Sequence, residues 1–375
     1  MSVHIHGLSK KFISLRRTVD AVRDINISLD PKEFFVLLGP SGCGKSTLLN
    51  CIAGIEKPTD GEIRFGNTVF FSARKKIFLP PRSRNAAMVF QNYALYPHLN
   101  VFDNIAFPLR IQKMNKQDIE HAVYKTAEIM HISNLLRAKP SELSGGQQQR
   151  TAIARAIVRK PDLFLLDEPL SNLDAQLRTS TRGELKNLQR ALGIPAVYVT
   201  HDQTEAMTLG DRIAVMLDGS ISQIGTPADL YAKPANSFIA SFIGSPPMNL
   251  LKGFLKKENG TDIFQSDQHH FNFSTRGEKR DIPCGSVILG IRPENITVCA
   301  ESEKLNKEKT VNDLPENMIT IKAVISVCEP LGRENLIHVR LGDQIISVLT
   351  AKKKFHPGDS VLICFYSADI HYFKN

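Results

Sequence analysis

One glycine-rich segment carries the strongest chemical signal in the sequence. Residues 39–47 read Gly-Pro-Ser-Gly-Cys-Gly-Lys-Ser-Thr and fit the phosphate-loop pattern G-x-x-x-x-G-K-[ST], between an apolar strand and an apolar helix. Backbone N–H groups of such a loop and the helix N-terminus attract phosphate. We expect Lys45 to hold the β- and γ-phosphates of ATP and Ser46 to ligate Mg²⁺. The predicted nucleotide-binding residues of the loop are Gly39, Pro40, Ser41, Gly42, Cys43, Gly44, Lys45, Ser46 and Thr47.

Two acidic residues follow a second apolar run. Residues 163–166 are Leu-Phe-Leu-Leu, and Asp167 and Glu168 come directly after them. Carboxylates at the carboxyl end of a buried strand can organise a metal beside a phosphate loop. We expect Asp167 to bind Mg²⁺ through water and Glu168 to act as the general base on the attacking water. A solvated strand end is the alternative, and the phosphate loop makes it the weaker one.

The elements around these residues indicate an α/β domain. About 240 residues alternate short apolar strands with longer helical patterns, which predicts a mainly parallel core sheet. The predicted buried strands are 34–38, 163–166, 196–200 and 213–217. Helical periodicity covers 116–137 and 175–192, and the stretch between Gln91 and Ser144 is largely helical. We therefore expect a helical insert in the sheet topology.

The pattern changes near residue 244. Beyond it, short alternating segments separated by Gly, Asn and Pro predict an all-β domain, a small barrel. The predicted strand segments are 287–291, 319–324, 336–339 and 361–365. Residues 301–316 are interpreted as a surface loop, and the adjacent His269 and His270 as solvated side chains rather than metal ligands. The predicted domains are 1–243 and 244–375.

The composition limits the classes of partner. The formal net charge of +9 fits ATP, nucleic acid or a membrane surface, and a solvated basic surface explains it equally well. The six cysteines lack metal-ligand spacing, which suits a reducing cytosol. We see no signal peptide and no run of the roughly 20 apolar residues that a spanning helix needs. If the protein works at a membrane, we expect another chain to supply the spanning helices.

Further motifs identify a family. Residues 143–150, Leu-Ser-Gly-Gly-Gln-Gln-Gln-Arg, resemble the signature sequence of ABC ATPases, and the resemblance extends over the whole N-terminal domain. It implies a P-loop NTPase cassette that works as a homodimer, with the signature of one copy completing the ATP site of the other. The residues that the resemblance assigns to nucleotide binding in this way are Ser144, Gly145, Gly146, Gln147 and the D-loop residue Asp174.

The resemblance also assigns three single residues. Gln91 resembles the Q-loop glutamine, which contacts the metal and the γ-phosphate and reports them to a partner. His201 resembles the switch histidine, which contacts the γ-phosphate and holds Glu168 productively. Phe12 lies where the family places an aromatic residue that stacks on adenine. A core phenylalanine is the alternative interpretation of Phe12.

Three segments narrow the resemblance to maltose-type carbohydrate importers, namely 200–207, 242–249 and 290–294. The resemblance implies an OB-like barrel that dimerises and can bind a regulatory protein or effector. It also implies two permease subunits, an extracytoplasmic solute-binding protein and a peripheral position on the cytoplasmic face of the membrane. The expected cargo is a carbohydrate, polyol or glycerol phosphate.

Two alternatives stay open at this point. One is an importer ATPase for polyamine, iron or sulfate. The other, more remote, is an ABC ATPase that acts on nucleic acid, suggested by the basic charge and the barrel. The single cassette and the short helical insert argue against it, so we expect no nucleic-acid partner.

Overall fold

The computed structural model describes residues 2–14, 18–258, 261–267, 271–274, 284–300, 318–342, 344–351 and 355–374. These residues fall into two units, Met1–Asp229 and Leu230–Asn375. The boundary predicted after residue 243 lies inside the second unit, because the helix Ser237–Phe242 packs against strands of that unit. The histidine pair 269–270 and the predicted loop 301–316 lie outside the described residues.

The first unit contains strands β1 to β11 and helices α1 to α6, and α7 follows at its end. The strands are β1 (Val3–Ile13), β2 (Thr18–Leu29), β3 (Phe34–Leu38), β4 (Asp60–Phe65), β5 (Thr68–Ser72), β6 (Ile77–Phe78), β7 (Ala86–Val89), β8 (Leu163–Asp167), β9 (Ala196–Thr200), β10 (Arg212–Leu217) and β11 (Ser220–Gly225). The helices are α1 (Lys45–Ala53), α2 (Val101–Ile111), α3 (Lys116–Ile129), α4 (Gly145–Ile157), α5 (Ala175–Leu192), α6 (Gln203–Leu209) and α7 (Pro227–Ala232).

A six-stranded sheet carries the phosphate loop. Its order is β11-β10-β3-β9-β8-β7, with parallel pairing throughout except for the antiparallel edge strand β11. Strands β3 and β9 are buried at every residue, as expected for parallel strands covered on both faces. The mainly parallel core sheet and its four predicted strands are therefore confirmed. The carboxyl ends of β3, β8 and β9 meet at one edge, where the candidate site lies.

A second sheet in the first unit was missing from the prediction. Strands β2-β1-β4-β5-β6 pair antiparallel throughout. Alternating residues of β1 and β2 are buried, including Ile5 and Ile25, and they share one core with Leu37 of β3 and Leu48 of α1. This sheet places β2 beside the phosphate loop.

Helices α2 and α3 form the predicted insert, and each begins at an asparagine whose side chain accepts a hydrogen bond from the helix backbone. Helix α3 ends at Ile129 rather than at 137, because His131 adopts a left-handed backbone conformation with φ of 53°. Helix α5 matches its predicted range, and it ends at Gly193, which takes the left-handed conformation. Among the described residues, none of the helices combines the length and the apolar character needed to cross a membrane.

The second unit is built from two antiparallel sheets around one core. Its elements are α8 (Ser237–Phe242), β12 (Asn249–Glu258), β13 (Thr261–Ser266), β14 (Asn272–Ser274), β15 (Gly285–Ile291), β16 (Thr297–Ala300), β17 (Met318–Pro330), β18 (Asn335–Leu341), β19 (Gln344–Thr350), β20 (Ser360–Tyr366) and β21 (His371–Lys374). The sheet orders are β14-β13-β12-β15-β21 and β16-β20-β17-β18-β19. Leu289 of the first sheet and Val339 and Ile363 of the second belong to the same core. The prediction of an all-β domain is confirmed.

A buried arginine explains why two separated motifs of the second unit go together. Arg292 is 2% exposed, and its guanidinium donates to the carbonyl oxygens of Ala240 and Ile243 at the end of α8 and to that of Tyr231. Burial lowers the pKa of Arg292 to about 10. A Cβ on Gly244 would lie 2.6 Å from the guanidinium. The segments 242–249 and 290–294 thus form one structural unit.

Candidate functional site

The phosphate loop needs glycine at two positions for steric reasons. A Cβ on Gly39 would lie 2.3 Å from the carbonyl oxygen of Met216 on β10. Gly44 has φ of 100°, and a Cβ there would lie 2.1 Å from the carbonyl oxygen of Ala21 on β2. Gly44 also precedes α1, and no side chain caps that helix. The first backbone N–H groups of α1 are therefore available to an anion.

Lys45 is held inside the loop. Its side chain is buried, and its ammonium donates to the carbonyl oxygens of Gly39 and Pro40, each at 2.8 Å. A third contact reaches the Cys43 sulfur at 3.7 Å. Cys43 is buried, which raises the pKa of its thiol, so only its backbone can face a nucleotide. The loop thus concentrates one positive charge at its centre.

Ser46 and Asp167 bring a hydroxyl and a carboxylate together. The Ser46 hydroxyl donates to Asp167 Oδ1 at 2.8 Å, although the residues lie on α1 and at the end of β8. Burial raises the pKa of the Asp167 carboxyl, and the Glu168 charge adds to the rise. The Ser46 hydrogen bond and the Lys45 charge oppose it. Hydroxyl and carboxylate oxygens are ligands that Mg²⁺ accepts, and Mg²⁺ usually keeps several waters, so these two residues fit it.

Glu168 is the point where three chain segments meet. Its Oε2 lies 3.1 Å from His201 Nδ1 and 3.3 Å from Gln91 Nε2. Its backbone has φ of 43°, a left-handed conformation that costs roughly 1–3 kcal/mol for a side-chain-bearing residue. The Glu168 N–H donates to the carbonyl oxygen of Val199 on β9, which fixes this turn. The structure therefore brings Glu168, His201 and Gln91 together, three of the residues predicted to take part in catalysis.

The D-loop, residues 171–174, is hydrogen-bonded to the backbone of Glu168 and Gln91. The Ser171 hydroxyl donates to the carbonyl oxygen of Glu168 at 2.9 Å, and the Asn172 side-chain amide donates to that of Gln91 at 3.0 Å. The Asp174 carboxylate accepts from the Leu177 N–H at 2.9 Å and so caps helix α5. In this structure Asp174 contacts its own helix.

The signature residues form a second helix N-terminus. Ser144 caps α4 by accepting from the Gln147 N–H, and Gln147 Oε1 accepts from the Ser144 N–H at 2.9 Å. This reciprocal capping box orders the start of the helix. A Cβ on Gly146 would lie 2.7 Å from the Leu177 side chain, so glycine lets α4 approach α5 closely. Gly145 lies beside it, at the first residue of α4.

An open cleft of about 620 Å³ surrounds the phosphate loop. From the predicted set it is lined by Ser41, Gly42, Gly44, Lys45, Ser46, Thr47, Gln91 and Glu168. It is also lined by Val19, Asp20, Ala21 and Arg23 of β2 and by Asp218 and Gly219, which the sequence interpretation missed. None of the four signature residues 144–147, all within the described part of the chain, lines this cleft.

Phe12 lies next to the cleft lining rather than in it. It pairs with Val19 across the β1–β2 ladder, and Val19 lines the cleft. The Phe12 side chain is 41% exposed, and the Lys10 ammonium lies 4.6 Å from its ring centre. An exposed ring in this place is not a core phenylalanine.

Comparisons with known proteins agree with this geometry. Residues 22–171 match the family described as ABC transporter, residues 244–296 the MalK OB fold domain and residues 289–373 the TOBE domain. The trehalose/maltose import ATP-binding protein MalK of Thermococcus litoralis is 46% identical, over 95% of this chain and 94% of its own. The sn-glycerol-3-phosphate import ATP-binding protein UgpC of Vibrio vulnificus is 43% identical, over 94% of this chain and 89% of its own.

A solved structure matches the first part of the chain. It is the ATP-binding cassette MJ0796 in a dimeric, post-hydrolysis state bound to ADP and Pi. The sequence identity is 30% and the TM-score 0.53, and the match covers 60% of this chain and 98% of that one. With relatives of this identity along nearly its whole length, the chain belongs to the ABC transporter family and is an ATP-hydrolysing subunit of an ABC importer.

Proposed function

We propose that this subunit hydrolyses ATP with Mg²⁺ at the described cleft and powers the uptake of a carbohydrate, polyol or glycerol phosphate. The observation that carries the chemistry is the meeting of Glu168, His201 and Gln91 beside the phosphate loop. The substrate class is supported by the import proteins for trehalose/maltose, xylose/arabinose and sn-glycerol-3-phosphate that the chain resembles.

The loop and the first turn of α1 would receive the phosphates. Lys45 lies at the centre of the loop and is charged, so its contacts to loop carbonyls can give way to phosphate oxygens. Ser46, Asp167 and Gln91 would hold Mg²⁺; Ser46 bonds to Asp167, and Gln91 bonds to Glu168. When bound, Mg²⁺ neutralises charge that develops on the phosphates.

Glu168 would accept the proton of the attacking water. The water oxygen bonds to the γ-phosphorus, the bond from that phosphorus to the bridging oxygen breaks, and ADP leaves. His201, whose Nδ1 lies 3.1 Å from Glu168 Oε2, would orient the Glu168 carboxylate and contact the γ-phosphate. Gln91 contacts the same carboxylate oxygen and so reports its state to the segment that follows. The strained Glu168 backbone fixes the carboxylate before the substrate arrives.

A second copy would complete the site. The residues 144–147 form an anion-binding helix N-terminus that does not line the cleft of their own chain. We therefore propose a homodimer in which Ser144, Gly145 and Gly146 contact the γ-phosphate bound by the partner, with Gln147 and Asp174 ordering that edge. The dimeric state of MJ0796 supports this arrangement.

A groove beside Gln91 fits a segment of the permease. It has a volume of about 590 Å³, and its lining includes Met88 and the half-exposed side chains of Ile55 and Phe90. Phe90 directly precedes Gln91 in the chain. Arg155 on the groove wall donates to the carbonyl oxygens of Tyr93 and Ala94, and so fixes the loop that carries Gln91. Arg82 and Arg159 also line the groove and give it a positive rim that suits an acidic partner segment.

The remaining partners follow from that docking. The permease pair would hold the subunit on the cytoplasmic face of the membrane, and a solute-binding protein would act from the other side. We propose that the second unit takes a regulatory protein or effector, because it has a hydrophobic core of its own. Nucleic acid is not a proposed partner.

Reconstitution tests the function. The chain is placed in proteoliposomes with its candidate permeases and binding protein, and ATP hydrolysis is measured with maltose, trehalose, glycerol 3-phosphate, a polyamine, sulfate and iron. We expect a sugar or glycerol phosphate alone to stimulate hydrolysis and uptake together. Stimulation by the polyamine, sulfate or iron would replace the substrate class. No stimulation by any solute would reject coupled import through these permeases.

The groove has its own test. Phe90→Ser should abolish solute-stimulated hydrolysis in proteoliposomes, because it removes apolar contact area, while the isolated chain still hydrolyses ATP. Tyr124→Ser, at an exposed residue of α3 outside the groove, is the matched control. Equal stimulation of the Phe90 variant and the control would remove the groove from the permease interface.

A further inference from the structure

A buried carboxylate lies behind the catalytic pair and has no part in the mechanism above. Glu205 of α6 is 3% exposed. Its Oε2 accepts hydrogen bonds from the Tyr198 hydroxyl at 2.8 Å and the Thr200 hydroxyl at 2.7 Å, both on β9. Burial, together with the Glu205 charge, raises the pKa of the Tyr198 hydroxyl well above its usual range, so that hydroxyl stays a donor. Helix α6 is thereby fastened to the strand that ends next to His201.

Arg178 of α5 joins this carboxylate to the D-loop. Its Nη2 donates to the carbonyl oxygens of Ser171 at 3.4 Å and Leu173 at 3.1 Å. On the other side, its Nε lies 3.9 Å from Glu205 Oε1, and its Nη1 lies 3.7 Å from Asp202 Oδ2. One guanidinium therefore contacts both the segment that follows Glu168 and the segment that follows His201.

The contacts close a ring around the catalytic residues. Ser171 is bonded to the Glu168 carbonyl oxygen, and the Glu168 carboxylate contacts His201. Asp202 follows His201 and caps α6 by accepting from the Glu205 N–H at 2.9 Å. A small polar cavity of about 40 Å³ lies inside the ring, lined by Glu168, His201 and Arg178 among others. A displacement of either segment would therefore change the distance between Glu168 and His201.

We propose that Arg178 is a positioning residue for ATP hydrolysis, which holds the D-loop and the histidine-bearing loop at the separation that Glu168 and His201 require. The proposal rests on the functions proposed above for Glu168 and His201. Arginine suits the position because its planar fork donates in several directions at once, which a lysine ammonium on a flexible stem does less well. The residue acts through its neighbours and does not itself line the nucleotide cleft.

Stability and catalysis should respond differently to its loss. The Arg178 side chain is 30% exposed and its two ion pairs are long. The buried Glu205 carboxylate keeps its hydrogen bonds from the Tyr198 and Thr200 hydroxyls when Arg178 is replaced, so folding stability should change little. A misplacement of about 1 Å between reacting groups can still cost about a hundredfold in rate. A purely structural arginine would instead lower thermal stability and rate together.

The experiment compares Arg178→Met with Arg178→Lys in the full-length chain, with Arg190→Met as the control at an exposed position of the same helix. We expect Arg178→Met to lower kcat about 10- to 100-fold, with KM for ATP within about twofold of native and Tm within about 2 °C. Arg178→Lys should recover part of the kcat, and Arg190→Met should match the native protein.

A double variant tests whether the contacts act as a unit. Glu205→Gln alone should lower kcat, and Arg178→Met combined with Glu205→Gln should lose no more than the worse single variant. A native kcat for Arg178→Met, or losses that simply multiply in the double variant, would overturn the proposal. A fall in Tm that matches the fall in rate would also overturn it.

Glu168→Gln and His201→Ala distinguish a failure of this proposal from a failure of the proposed function. If these two variants hydrolyse ATP normally, the catalytic assignment fails. If they are inactive and Arg178→Met has native activity, only the positioning role of Arg178 fails.

Discussion

The chain has two glycine-rich helix N-termini that we propose as anion sites, at α1 and at α4, and they differ in how complete they are. The phosphate-loop half has a cleft lined by Lys45, Ser46 and Glu168, with Asp167 bonded to Ser46 and His201 next to Glu168. The signature half is a helix N-terminus whose serine and glutamine bond to each other and which lies outside that cleft. In the proposed mechanism the first half supplies the metal ligands and the general base, and the second half supplies hydrogen-bond donors.

The difference explains why both halves belong to one enzyme. A general base beside the two proposed Mg²⁺ ligands would hydrolyse ATP without control if one chain contained the complete site. In the proposed dimer the second set of donors lies on another copy, so hydrolysis would depend on association. Within the chain, the missing side chain of Gly146 lets α4, which carries the signature residues, approach α5, the helix that Asp174 caps.

The largest effect should come from Glu168→Gln in the phosphate-loop half. The variant keeps the shape of the side chain but cannot accept a proton at the attacking water, so kcat should fall about 100- to 10,000-fold. ATP affinity should stay near native, because the loop is untouched. Single-turnover hydrolysis and equilibrium nucleotide binding measure the two quantities separately. Glu120→Gln, at an exposed residue of α3, is the control. Normal turnover of the Glu168 variant would remove the general-base assignment.

The second prediction separates the halves by changing each alone. Lys45→Ala should weaken ATP binding by about 100-fold or more, because it removes the charge at the centre of the loop. Ser144→Asp should leave binding by the isolated chain near native, since aspartate caps helices as well as serine does. It should nevertheless prevent ATP-dependent dimerisation, because its carboxylate would face the partner's γ-phosphate. Ser144→Asn keeps the cap without the charge and serves as the control.

Mixing the two variants sharpens the comparison. Both chains also carry Glu168→Gln, so that bound ATP is not hydrolysed. A dimer of one Lys45→Ala chain and one Ser144→Asp chain then has one intact composite site. That site consists of the phosphate loop of the Ser144→Asp chain and the signature residues of the Lys45→Ala chain. We expect this mixture to retain one ATP per dimer, whereas each variant alone retains none. Retention of ATP by Ser144→Asp alone, measured by gel filtration with labelled nucleotide, would show that the signature does not act across copies.

The phosphate-loop half was predictable from the sequence because its residues are set by local spacing. Residues 39–47 must wrap a phosphate with backbone N–H groups, and Glu168 directly follows a buried strand, so both patterns are visible without tertiary information. The antiparallel sheet was missed, because β1 and β2 alternate only partly and are interrupted by bulges. It supplies Val19 and Arg23 to the cleft, and no pattern in the sequence marks them.

Contacts between distant residues also escaped the sequence. Arg178 and Glu205 are 27 positions apart, and although Glu205 lies in the segment 200–207, no pattern in the sequence pairs it with Arg178. The division between the units was predicted after residue 243 because the sequence pattern changes there from alternating strands and helices to short strand segments. The short helix α8 nevertheless lies in the second unit, since Arg292 binds the carbonyl oxygens at its end. Helix α8 also packs against β12 and β15, and composition does not show these contacts.

A smaller effect is expected at the edge of the phosphate-loop half. Phe12→Ala should weaken ATP binding about fivefold, because a ring stacked on the base contributes roughly 1 kcal/mol. Binding of inorganic tripolyphosphate should not change, since it has no base, and Phe12→Tyr should bind ATP like the native chain. Calorimetric titration with both ligands gives the two affinities. If both fell equally, Phe12 would support the loop rather than contact adenine.

The smallest effect should be a gain in stability at the Ser46–Asp167 pair. The folded-state pKa of Asp167 is raised, chiefly by burial. Its contribution to stability is therefore full below the unfolded pKa and is lost as the pH rises through the folded pKa. At neutral pH the ionised carboxylate opposes folding, so Asp167→Asn should raise Tm by about 2 °C without nucleotide. The gain should vanish as the pH falls towards about 4, where the native carboxyl is protonated.

With Mg²⁺ and ATP bound, the native chain should be more stable than Asp167→Asn. A ligand that binds only the folded state raises Tm, so the native chain should gain stability with Mg²⁺-ATP, while Asp167→Asn should gain much less. Thermal melts at two pH values, with and without Mg²⁺-ATP, measure all four quantities, and Glu128→Gln on α3 controls for the loss of one exposed charge. A variant less stable than the native chain at neutral pH without ligand would contradict the raised pKa. In the signature half, Ser144 and Gln147 bond to each other, so no comparable gain in stability is available there. This difference is expected if strain that serves the chemistry is confined to the phosphate-loop half.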